Sequence, residues 1–301
     1  MRKKKTMTTT HSKSAVSKKP VWLITGCSTG FGRELARMVL ECGYRTVVTA
    51  RNPDNLSALA GKGDGLLLRL DVTDPRQCNA AVAAAVDHFG GIDVLVNNAG
   101  IGYFAAVEES EEDQVRRMFE VNVFGLGRMI QAVLPGMRQR RSGFIINIAS
   151  LAGLCAMPAL GYYSATKFAV VGLSEALRRE VEPLGIQVMV VEPSGFRTDW
   201  AGRSADESAQ QIDDYAATAG AKRAQLRAIS GRQPGDPVRA AHAIIKAVQS
   251  APPPLHLLLG NAAYDLAIDK LDELRNDFQA GEAVARGADF PEKVYAQALF
   301  R

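Results

Sequence analysis

The sequence predicts an α/β fold, a single doubly wound domain in which helices flank a seven-stranded parallel sheet. Two observations lead to this prediction. Short apolar runs alternate with longer stretches of helical periodicity, and unbroken apolar strands are typical of parallel sheets that are covered on both faces. Neither an internal repeat nor a shift in composition divides the 301 residues, which favours one domain over two.

The strands and helices are predicted in alternation along the chain. Strands are expected at 21–25, 45–50, 66–70, 92–96, 144–149, 186–192 and 255–260. Helices are expected at 30–42, 54–60, 75–89, 111–139, 161–182, 236–250 and 262–279. Residues 261–301 are expected to form a helical extension, so the catalytic domain is predicted to span 20–301.

The segment 199–235 does not fit this alternation, because it is rich in small and polar residues and shows no strand pattern. It follows the sixth predicted strand, and ligands of doubly wound folds bind outside the carboxyl ends of the strands. We therefore predict that it is a substrate lid that becomes ordered mainly when ligands bind. The alternative is a surface insertion without a role.

The composition is that of an ordinary globular protein, with 47% hydrophobic and 23% charged residues. The net charge of +4 comes partly from residues 1–19, which are basic without any acidic residue and are predicted to be a disordered leader rather than a nucleic-acid or membrane-binding tail. No apolar run approaches the ~20 residues of a membrane span. The four dispersed cysteines form no C-x-x-C pair, so we predict no metal site and a reducing, cytoplasmic location.

A glycine-rich turn follows the first predicted strand. It reads T-G-x-x-x-G-x-G and leads into a helix. Glycines at such a turn let the backbone approach a pyrophosphate, which the amides and the positive dipole of the helix N-terminus can bind. The residues predicted to contact a dinucleotide here are Gly26, Ser28, Thr29, Gly30, Phe31 and Gly32. A tight turn without a ligand is the alternative.

Polar and small residues also follow the third and fourth predicted strands. Asp71 and Val72 are predicted to bind the adenine through a carboxylate and a backbone amide. Asn98, Ala99 and Gly100 leave room for a ribose or the nicotinamide. Each group alone is ordinary turn chemistry. Because the carboxyl ends of parallel strands share one edge of the sheet, their common position indicates a single ligand site.

In order and spacing, these motifs resemble the short-chain dehydrogenase/reductase family over about residues 20–260. The resemblance rests on TGCSTGFG, NNAG, Asn122 in FEVNVFG, Ser150 in NIAS, and Tyr163 and Lys167 in YSATK. It implies a Rossmann-type fold, an NAD(P) cofactor and a catalytic set made of these four named residues. Family members often pair through their long helices, here near 111–139 and 161–182, so a homodimer or homotetramer is expected.

Two adjacent tyrosines precede the lysine, and the family's Y-x-x-x-K spacing selects Tyr163 over Tyr162. Residues i and i+4 share a helix face, so Lys167 is expected to lie near the Tyr163 phenol, to lower its pKa and to make it a general acid and base. By resemblance, Ser150 would bind the substrate oxygen and Lys167 the nicotinamide ribose. Asn122 would bend its helix and hold a water that serves a proton relay. The alternative for Asn122 is a buried amide bonded to local backbone.

The loop after the sixth predicted strand departs from the family pattern P-G-x-x-x-T. Pro193 and Thr198 keep their spacing, but the glycine has moved one place to Gly195. By resemblance, these three residues are expected to contact the nicotinamide. The departure puts the backbone geometry at Ser194 in question.

Arg51 determines the predicted cofactor. NAD-binding sites commonly carry an acidic residue after the second strand, where it accepts from the adenosine ribose hydroxyls. Ala50 offers no carboxylate here, and the Arg51 guanidinium suits a 2′-phosphate. This pattern is similar to that of NADP-preferring family members, so NADP is predicted and NAD is the alternative.

The predicted function is that of an NADP(H)-dependent oxidoreductase that interconverts a small hydrophobic ketone or aldehyde and its alcohol. The expected substrate wall is apolar and consists of Leu151, Ala152, Leu154, Cys155, Ala156, Met157 and Phe196. One alternative is an NAD(H)-dependent alcohol or hydroxysteroid-type dehydrogenase. Another is a dinucleotide-sensing protein without turnover, against which the presence of all four catalytic residues argues.

Overall fold

The structure is a computed structural model that describes residues 19–290. Within them lie nine strands: β1 Val21–Ile24, β2 Arg45–Ala50, β3 Gly65–Arg69, β4 Val94–Asn97, β5 Gly102–Phe104, β6 Gly143–Ile148, β7 Ile186–Pro193, β8 Ala205–Glu207 and β9 His256–Leu259. The same residues form nine α-helices: α1 Gly30–Glu41, α2 Pro75–Phe89, α3 Glu112–Phe119, α4 Leu126–Arg140, α5 Gly161–Val181, α6 Ala221–Ala228, α7 Pro237–Val248, α8 Asn261–Ala280 and α9 Glu282–Gly287.

Seven of the strands form one parallel sheet in the order β3-β2-β1-β4-β6-β7-β9. This confirms the predicted doubly wound fold and the seven predicted strands. From β1 the chain builds the sheet outward to one side through β2 and β3, and then to the other side from β4 onward. The topological switch therefore lies between β1 and β4, where the carboxyl ends of the strands open a crevice for a ligand.

Helices cover both faces of the sheet because the central strands are apolar on both sides. In β1, Trp22 and Ile24 pack on the side of α1 and α7, whereas Leu23 packs on the side of α2, α4 and α5. All three side chains are buried, and the period-2 alternation of strands produces this division. The two apolar layers fix the strand ends, and with them the residues that follow each strand.

Two helices differ from their predicted form. The expected helix 111–139 is interrupted between α3 and α4 by a π-helical segment, Glu120–Gly125, which contains Asn122. The bend predicted at Asn122 is therefore a change of hydrogen-bond pattern to i→i+5. The expected helix 54–60 is a 3-10 helix, Pro53–Leu59, whose N-cap Asn52 accepts from the Asp54 N–H.

The sequence does not predict the second, two-stranded sheet. Its strands β5 and β8 pair in parallel, and β8 lies within 199–235, where the sequence shows no strand pattern. Each strand has only three residues, too few for a periodic apolar pattern to reveal. The same segment contains α6 and a π-helical segment, Ala216–Gly220.

Both ends of the chain extend beyond the described residues. Of the predicted leader only Lys19 is described, and its Nζ donates to the Cys42 carbonyl at 2.6 Å. Helices α8 and α9 form where the sequence predicts a helical extension, and residues 291–301 of that extension lie outside the described part. Across residues 19–290 no helix is long and apolar enough to cross a membrane. The same residues contain no group of side chains suited to hold a metal ion.

Candidate active site

A cavity of about 980 Å³ opens at the carboxyl ends of the parallel strands. This volume lies near the upper end of the ~300–1,000 Å³ range of small-molecule sites. The predicted cofactor residues that line it are Gly26, Ser28, Thr29, Gly30, Phe31, Arg51, Asp71, Val72, Asn98, Ala99, Gly100, Tyr163, Lys167, Pro193, Gly195 and Thr198. Ser150 lines it as well, whereas Gly32 and Asn122 lie behind the wall.

The turn between β1 and α1 presents backbone donors to the cavity. Gly26 and Gly30 have φ values of 71° and 58°, in the left-handed region that favours glycine. Thr29 is the N-cap of α1, and its side chain makes no capping hydrogen bond within the described chain. The first turn of α1 also lacks an acidic residue. The first amides of the helix are thus available to an anion, which is what a dinucleotide pyrophosphate requires.

Gly32 packs closely against this turn from behind, and its contact with a ligand stays a prediction. A β-carbon at Gly32 would lie 2.5 Å from the Gly26 carbonyl oxygen and would collide with the Asn98 amide. That amide donates to the carbonyls of Thr25 at 2.8 Å and Gly26 at 3.0 Å. The Asn98 side chain therefore braces the glycine turn against the end of β4.

Arg51 and Asp71 lie at one end of the cavity, after the neighbouring strands β2 and β3. Asp71 Oδ1 accepts from the Thr73 N–H at 3.0 Å and from the Thr73 hydroxyl at 2.8 Å. These bonds fix the carboxylate beside the cavity. Ala50 is buried at the end of β2, and Arg51 is exposed.

Ser150, Tyr163 and Lys167 converge further along the sheet. Ser150 follows β6 and accepts from the Ala152 N–H at 3.1 Å as the N-cap of a short 3-10 helix. Tyr163 and Lys167 lie one turn apart on α5 and are 6% and 7% exposed. Lys167 Nζ lies 5.6 Å from the centre of the Tyr163 ring and donates to the Ile148 carbonyl at 2.9 Å. The predicted proximity of phenol and amine is present.

Burial governs the ionisation of both groups. It raises the pKa of Tyr163 above its usual value, and the Ser150 hydroxyl offsets only part of this shift. Burial lowers the pKa of Lys167 to about 8. The expectation that Lys167 lowers the pKa of Tyr163 is therefore wrong for the chain by itself, because desolvation outweighs the neighbouring charge. The phenol is protonated at neutral pH.

Asn122 is buried, and protein groups bind its amide. Oδ1 accepts from the Ile101 N–H at 2.9 Å, while Nδ2 donates to the Ile101 carbonyl at 2.9 Å and to Thr166 Oγ1 at 3.1 Å. These bonds tie the π-helical segment to the loop after β4 and to α5. The amide is buried as in the alternative, but its partners are far from it in sequence and not local backbone. A water held by Asn122 stays a prediction.

The loop after β7 is fixed to the end of β9. Ser194, the residue that departs from the family pattern, donates to the Leu259 carbonyl from its N–H at 3.0 Å and from its hydroxyl at 3.3 Å. Thr198, at the other end of the loop, lies against the glycine turn, since a β-carbon on Gly30 would be 3.5 Å from its side chain. The loop therefore closes the cavity opposite the N-terminus of α1.

The family of the chain follows from comparison with known proteins. Residues 20–209 match the short chain dehydrogenase family. The chain belongs to this family. An oxidoreductase of Botryotinia fuckeliana is 40% identical to this dehydrogenase over 250 residues, which are 82% of this chain and 91% of the relative. The 3-ketodihydrosphingosine reductase of Bacteroides thetaiotaomicron is 42% identical over 196 residues, which are 64% of this chain and 71% of the relative.

Solved dehydrogenase structures share the fold. A short-chain dehydrogenase of Streptomyces avermitilis has a TM-score of 0.84 at 40% identity and covers 90% of this chain and 100% of its own. A family member of Burkholderia phymatum in complex with NAD has a TM-score of 0.75 at 26% identity, covering 86% and 95%. An alcohol dehydrogenase of Thermococcus sibiricus complexed with 5-hydroxy-NADP has a TM-score of 0.64 at 25% identity, covering 80% and 96%. The protein is an NAD(P)-dependent oxidoreductase that acts on an alcohol or carbonyl group.

The cavity of this dehydrogenase also has walls that its motifs do not reveal. The segment 199–235 contributes Trp200, Leu226, Ile229 and Gln233. The Trp200 ring packs on Tyr163 with ring centres 4.9 Å apart. A tryptophan at the start of a segment of small residues, directly after the loop that follows β7, is the signal that could have indicated this contact.

The predicted substrate wall is partly correct. Leu151, Ala152, Met157 and Phe196 line the cavity of the dehydrogenase, but Leu154, Cys155 and Ala156 do not. The Cys155 thiol instead donates to the Leu266 carbonyl at 3.3 Å, which ties the loop after Ser150 to α8. Leu266 itself is part of the cavity wall, so the helical extension helps to enclose the site.

Proposed function

We propose that this dehydrogenase is an NADP(H)-dependent oxidoreductase that interconverts a hydrophobic ketone or aldehyde and its alcohol, with Tyr163 as general acid and base. The observation that carries the proposal is a single cavity with Arg51 at one end and Ser150, Tyr163 and Lys167 further along the sheet. When bound, the cofactor supplies a hydride to the carbonyl carbon or accepts one from the alcohol carbon.

The cofactor would lie across the carboxyl ends of the strands. Arg51 would bind the 2′-phosphate through a charge-assisted hydrogen bond, and Asp71 the adenine. The free amides at the start of α1 would bind the pyrophosphate. Gly195 and Thr198 would bind the nicotinamide end, because they follow β7, four strands away from β2 in the sheet.

Three side chains would handle the proton. Tyr163 is protonated at neutral pH because it is buried, so its hydroxyl can donate to a carbonyl oxygen during reduction. Ser150 would donate to the same oxygen and orient it. Lys167, whose pKa is about 8, carries a proton at pH 7 and would stabilise the phenolate that remains. In the oxidising direction this phenolate takes the proton of the alcohol.

The walls of the cavity support a hydrophobic substrate. Met157, Leu160, Trp200, Leu226 and Leu266 are large apolar residues of the lining, which also includes charged residues, among them Arg116, Arg203 and Lys222. Apolar walls with a few placed polar groups are typical of sites for small apolar ligands. The relative from Bacteroides thetaiotaomicron is named as a reductase of a keto compound, which supports a ketone as the substrate class.

The reaction is tested by an NADPH-oxidation assay with the purified chain and a panel of hydrophobic ketones and aldehydes, with NADH in parallel. We expect turnover with at least one class and a higher kcat/KM with NADPH. A folded protein that binds NADPH but oxidises it with none of these compounds would favour the dinucleotide-sensing alternative.

Cofactor choice is tested at Arg51. We expect Arg51→Ala to weaken NADPH binding by about 1.5–3 kcal/mol, the cost of losing a hydrogen bond to a charged group, and to leave NADH binding unchanged. Arg69, which pairs with Ala50 across β2 and β3 but lies outside the cavity wall, supplies the control Arg69→Ala. Calorimetric titration of both cofactors measures the effect, and equal losses for NADPH and NADH would contradict the assignment.

A further inference from the structure

Gln233 is a polar side chain in the cavity wall that lacks a partner. It is 4% exposed and lines the cavity, yet its Oε1 is buried without a hydrogen bond to any described residue. Most buried polar atoms in folded proteins are paired, so an unpaired one beside a ligand cavity points to a ligand group. Neither the family motifs nor the proposed proton transfer uses this residue.

The backbone around Gln233 fixes its position. Residues 233–235 run alongside the loop after β7: the Gly235 N–H donates to Gly195 at 3.1 Å, and the Arg197 N–H donates to Gly235 at 2.9 Å. The Gln233 carbonyl also accepts from Arg197 Nε at 3.3 Å. Its Cβ and Cγ lie 3.6 to 3.7 Å from the place where Gly195 would carry a β-carbon. Backbone hydrogen bonds thus hold Gln233 at the cavity wall, and its side-chain amide is not needed for this.

The sheet order shows which part of the cofactor this position meets. Gly195 follows β7, whereas Arg51 follows β2, and four strand spacings separate these strands. At ~4.8 Å per spacing the two ends of the site are about 19 Å apart. Gln233 lies against Gly195, and β7, which Gly195 follows, pairs with β6, which Ser150 follows. It therefore faces the reactive end of the cofactor, not the adenosine end.

We propose that Gln233 binds the carboxamide of the nicotinamide ring. A carboxamide offers one acceptor oxygen and an NH₂ donor, and the Gln233 amide is complementary to it, accepting one hydrogen bond and donating another. A ketone substrate presents only an acceptor, for which Ser150 and Tyr163 are already in place. The proposal rests on the cofactor orientation given under the proposed function.

Binding measurements on Gln233→Leu test this contact without relying on turnover. Titration calorimetry would compare NADP⁺ with 2′,5′-ADP, the fragment that has the adenosine phosphates and lacks nicotinamide. We expect the variant to bind NADP⁺ about 5- to 150-fold less tightly, the effect of two lost neutral hydrogen bonds, and to bind the fragment unchanged. Gln211→Leu, an exposed glutamine of the same segment, is the matched control and should change neither affinity.

An analogue gives a second, independent measurement. In 3-acetylpyridine adenine dinucleotide phosphate a methyl group replaces the amino group of the carboxamide. We expect the wild type to prefer NADP⁺ over this analogue, because the acetyl group keeps the acceptor oxygen but lacks the donor. In Gln233→Leu this preference should shrink, but by less than the whole factor lost for NADP⁺, because the analogue also loses its one remaining hydrogen bond. Gln233→Met, which keeps the length of the side chain, repeats the comparison should the leucine variant not fold.

The contrary outcomes are distinct. Equal weakening of NADP⁺ and the fragment, or an unchanged preference for NADP⁺ over the analogue, would overturn the contact. An unchanged NADP⁺ affinity with a raised KM for the ketone would assign Gln233 to the substrate instead. A wild type that prefers NAD⁺ refutes only the NADP assignment, and the same titrations then run with NAD⁺, its acetylpyridine analogue and ADP.

Discussion

The two ends of the cavity are built in different ways. One end is where we propose that the adenosine part of the cofactor binds; this cofactor end comprises Gly26, Arg51, Asp71 and Asn98. Each of these residues lies one or two positions after the last residue of a strand, so the backbone sets its position. At the lid end, which comprises the cavity residues of 199–235, contacts between side chains far apart in sequence set the position. A site made by strand ends leaves a motif in the sequence, whereas one made by distant pairs does not.

Glu109 shows how the lid end is attached. Its side chain is 1% exposed, accepts from the N–H groups of Ala106 and Ile212 at 2.9 Å each, and pairs with Arg223 at 3.1 Å. Burial raises the pKa of Glu109, but these hydrogen bonds outweigh it and hold the pKa below its usual value. The charged carboxylate ties the middle of the segment to the loop after β5.

This attachment bears on the predicted lid. Because Arg223, β8 and residues 233–235 are bound to the rest of the domain, we expect ligand-dependent changes mainly between and beside them, at 199–204 and 229–232. That the segment becomes ordered on ligand binding stays a prediction. Hydrogen exchange over 199–235 with and without NADP(H) would test it, and uniform protection in both states would favour a static insertion.

The largest expected effect lies where the two ends meet, at Tyr163. Tyr163→Phe keeps the ring that packs on Trp200 and removes only the hydroxyl. We expect turnover to fall by at least 10²-fold, since general acid catalysis contributes ~10²–10⁴-fold, and NADPH affinity to stay unchanged. Steady-state kinetics and a cofactor titration measure the two quantities.

Tyr162→Phe is the control for this change, because it removes a hydroxyl from the neighbouring residue of α5. We expect it to retain most of the activity. If Tyr162→Phe were the inactive variant, the motif assignment would be wrong.

The next largest expected effect is on the free energy of unfolding, and it concerns the lid end. Arg223→Met leaves the buried Glu109 carboxylate without its cation, which we expect to lower the free energy of unfolding by about 3–5 kcal/mol. Arg286→Met breaks a pair with Glu282 in which both side chains are mostly exposed, and should cost about 1 kcal/mol or less. Urea denaturation measures both.

A double variant isolates the pair itself. The Ala106 and Ile212 N–H groups bond different oxygens of Glu109, so Glu109→Gln keeps an acceptor for only one of them, but it removes the uncompensated negative charge. Combining it with Arg223→Met should therefore recover part of the lost stability. Strictly additive losses would show that the ion pair does not hold the segment. Affinity for 2′,5′-ADP should be unchanged in every folded variant, because the pair lies at the lid end.

The same difference explains how much the sequence could predict. The sequence could predict the place of Gly30, Ser150, Tyr163 and Thr198, because strand patterns and motif spacing bring them to one edge of the sheet. Trp200 and Gln233 were not, since they belong to a segment whose course depends on two three-residue strands and on the Glu109–Arg223 pair. The sequence also could not predict the direction of the pKa shift of Tyr163, because the Tyr163–Lys167 spacing indicates a neighbouring charge but not how deeply the phenol is buried.

Substitution of Gly32 tests how the backbone of the cofactor end contributes to stability and to NADPH affinity. A β-carbon there would press on the Gly26 carbonyl and the Asn98 amide, so Gly32→Ala should lower the free energy of unfolding by about 1–3 kcal/mol and weaken NADPH binding as the turn shifts. Gly172→Ala, in α5 where nothing lies within 4 Å of the added carbon, should stabilise by about 0.5–1 kcal/mol. Thermal unfolding and NADPH titration check both variants. A Gly32→Ala protein with wild-type stability and affinity would show that the turn does not need close packing at Gly32.

The β7–β9 edge of the sheet has a buried carboxylate of its own, and the environment of this carboxylate is the reverse of that at Glu109. Glu192 is fully buried on β7 just before Pro193, and its Oε2 has no partner within the described chain. Its Oε1 lies 3.0 Å from Nδ1 of His256 on β9, and Nε2 of His256 lies 3.6 Å from Glu175 on α5. An imidazole that can lose its proton thus replaces the permanent cation of the lid end.

The Glu192–His256 pair predicts the smallest effect, a pH dependence of the stability. The hydrogen bond with Glu192 raises the pKa of His256, and partial burial opposes the shift. Because the folded pKa lies above the unfolded value of ~6.5, the stabilisation is complete below that pH and is lost as the pH rises through the folded pKa. His256 is 38% exposed, so solvent limits the pair to about 1 kcal/mol or less. Thermal unfolding of the wild type and His256→Asn from pH 5.5 to 9 measures it: the two midpoints should differ most at low pH and approach each other at high pH. A difference that stays constant across this range would mean that His256 supports the β7–β9 edge by packing alone.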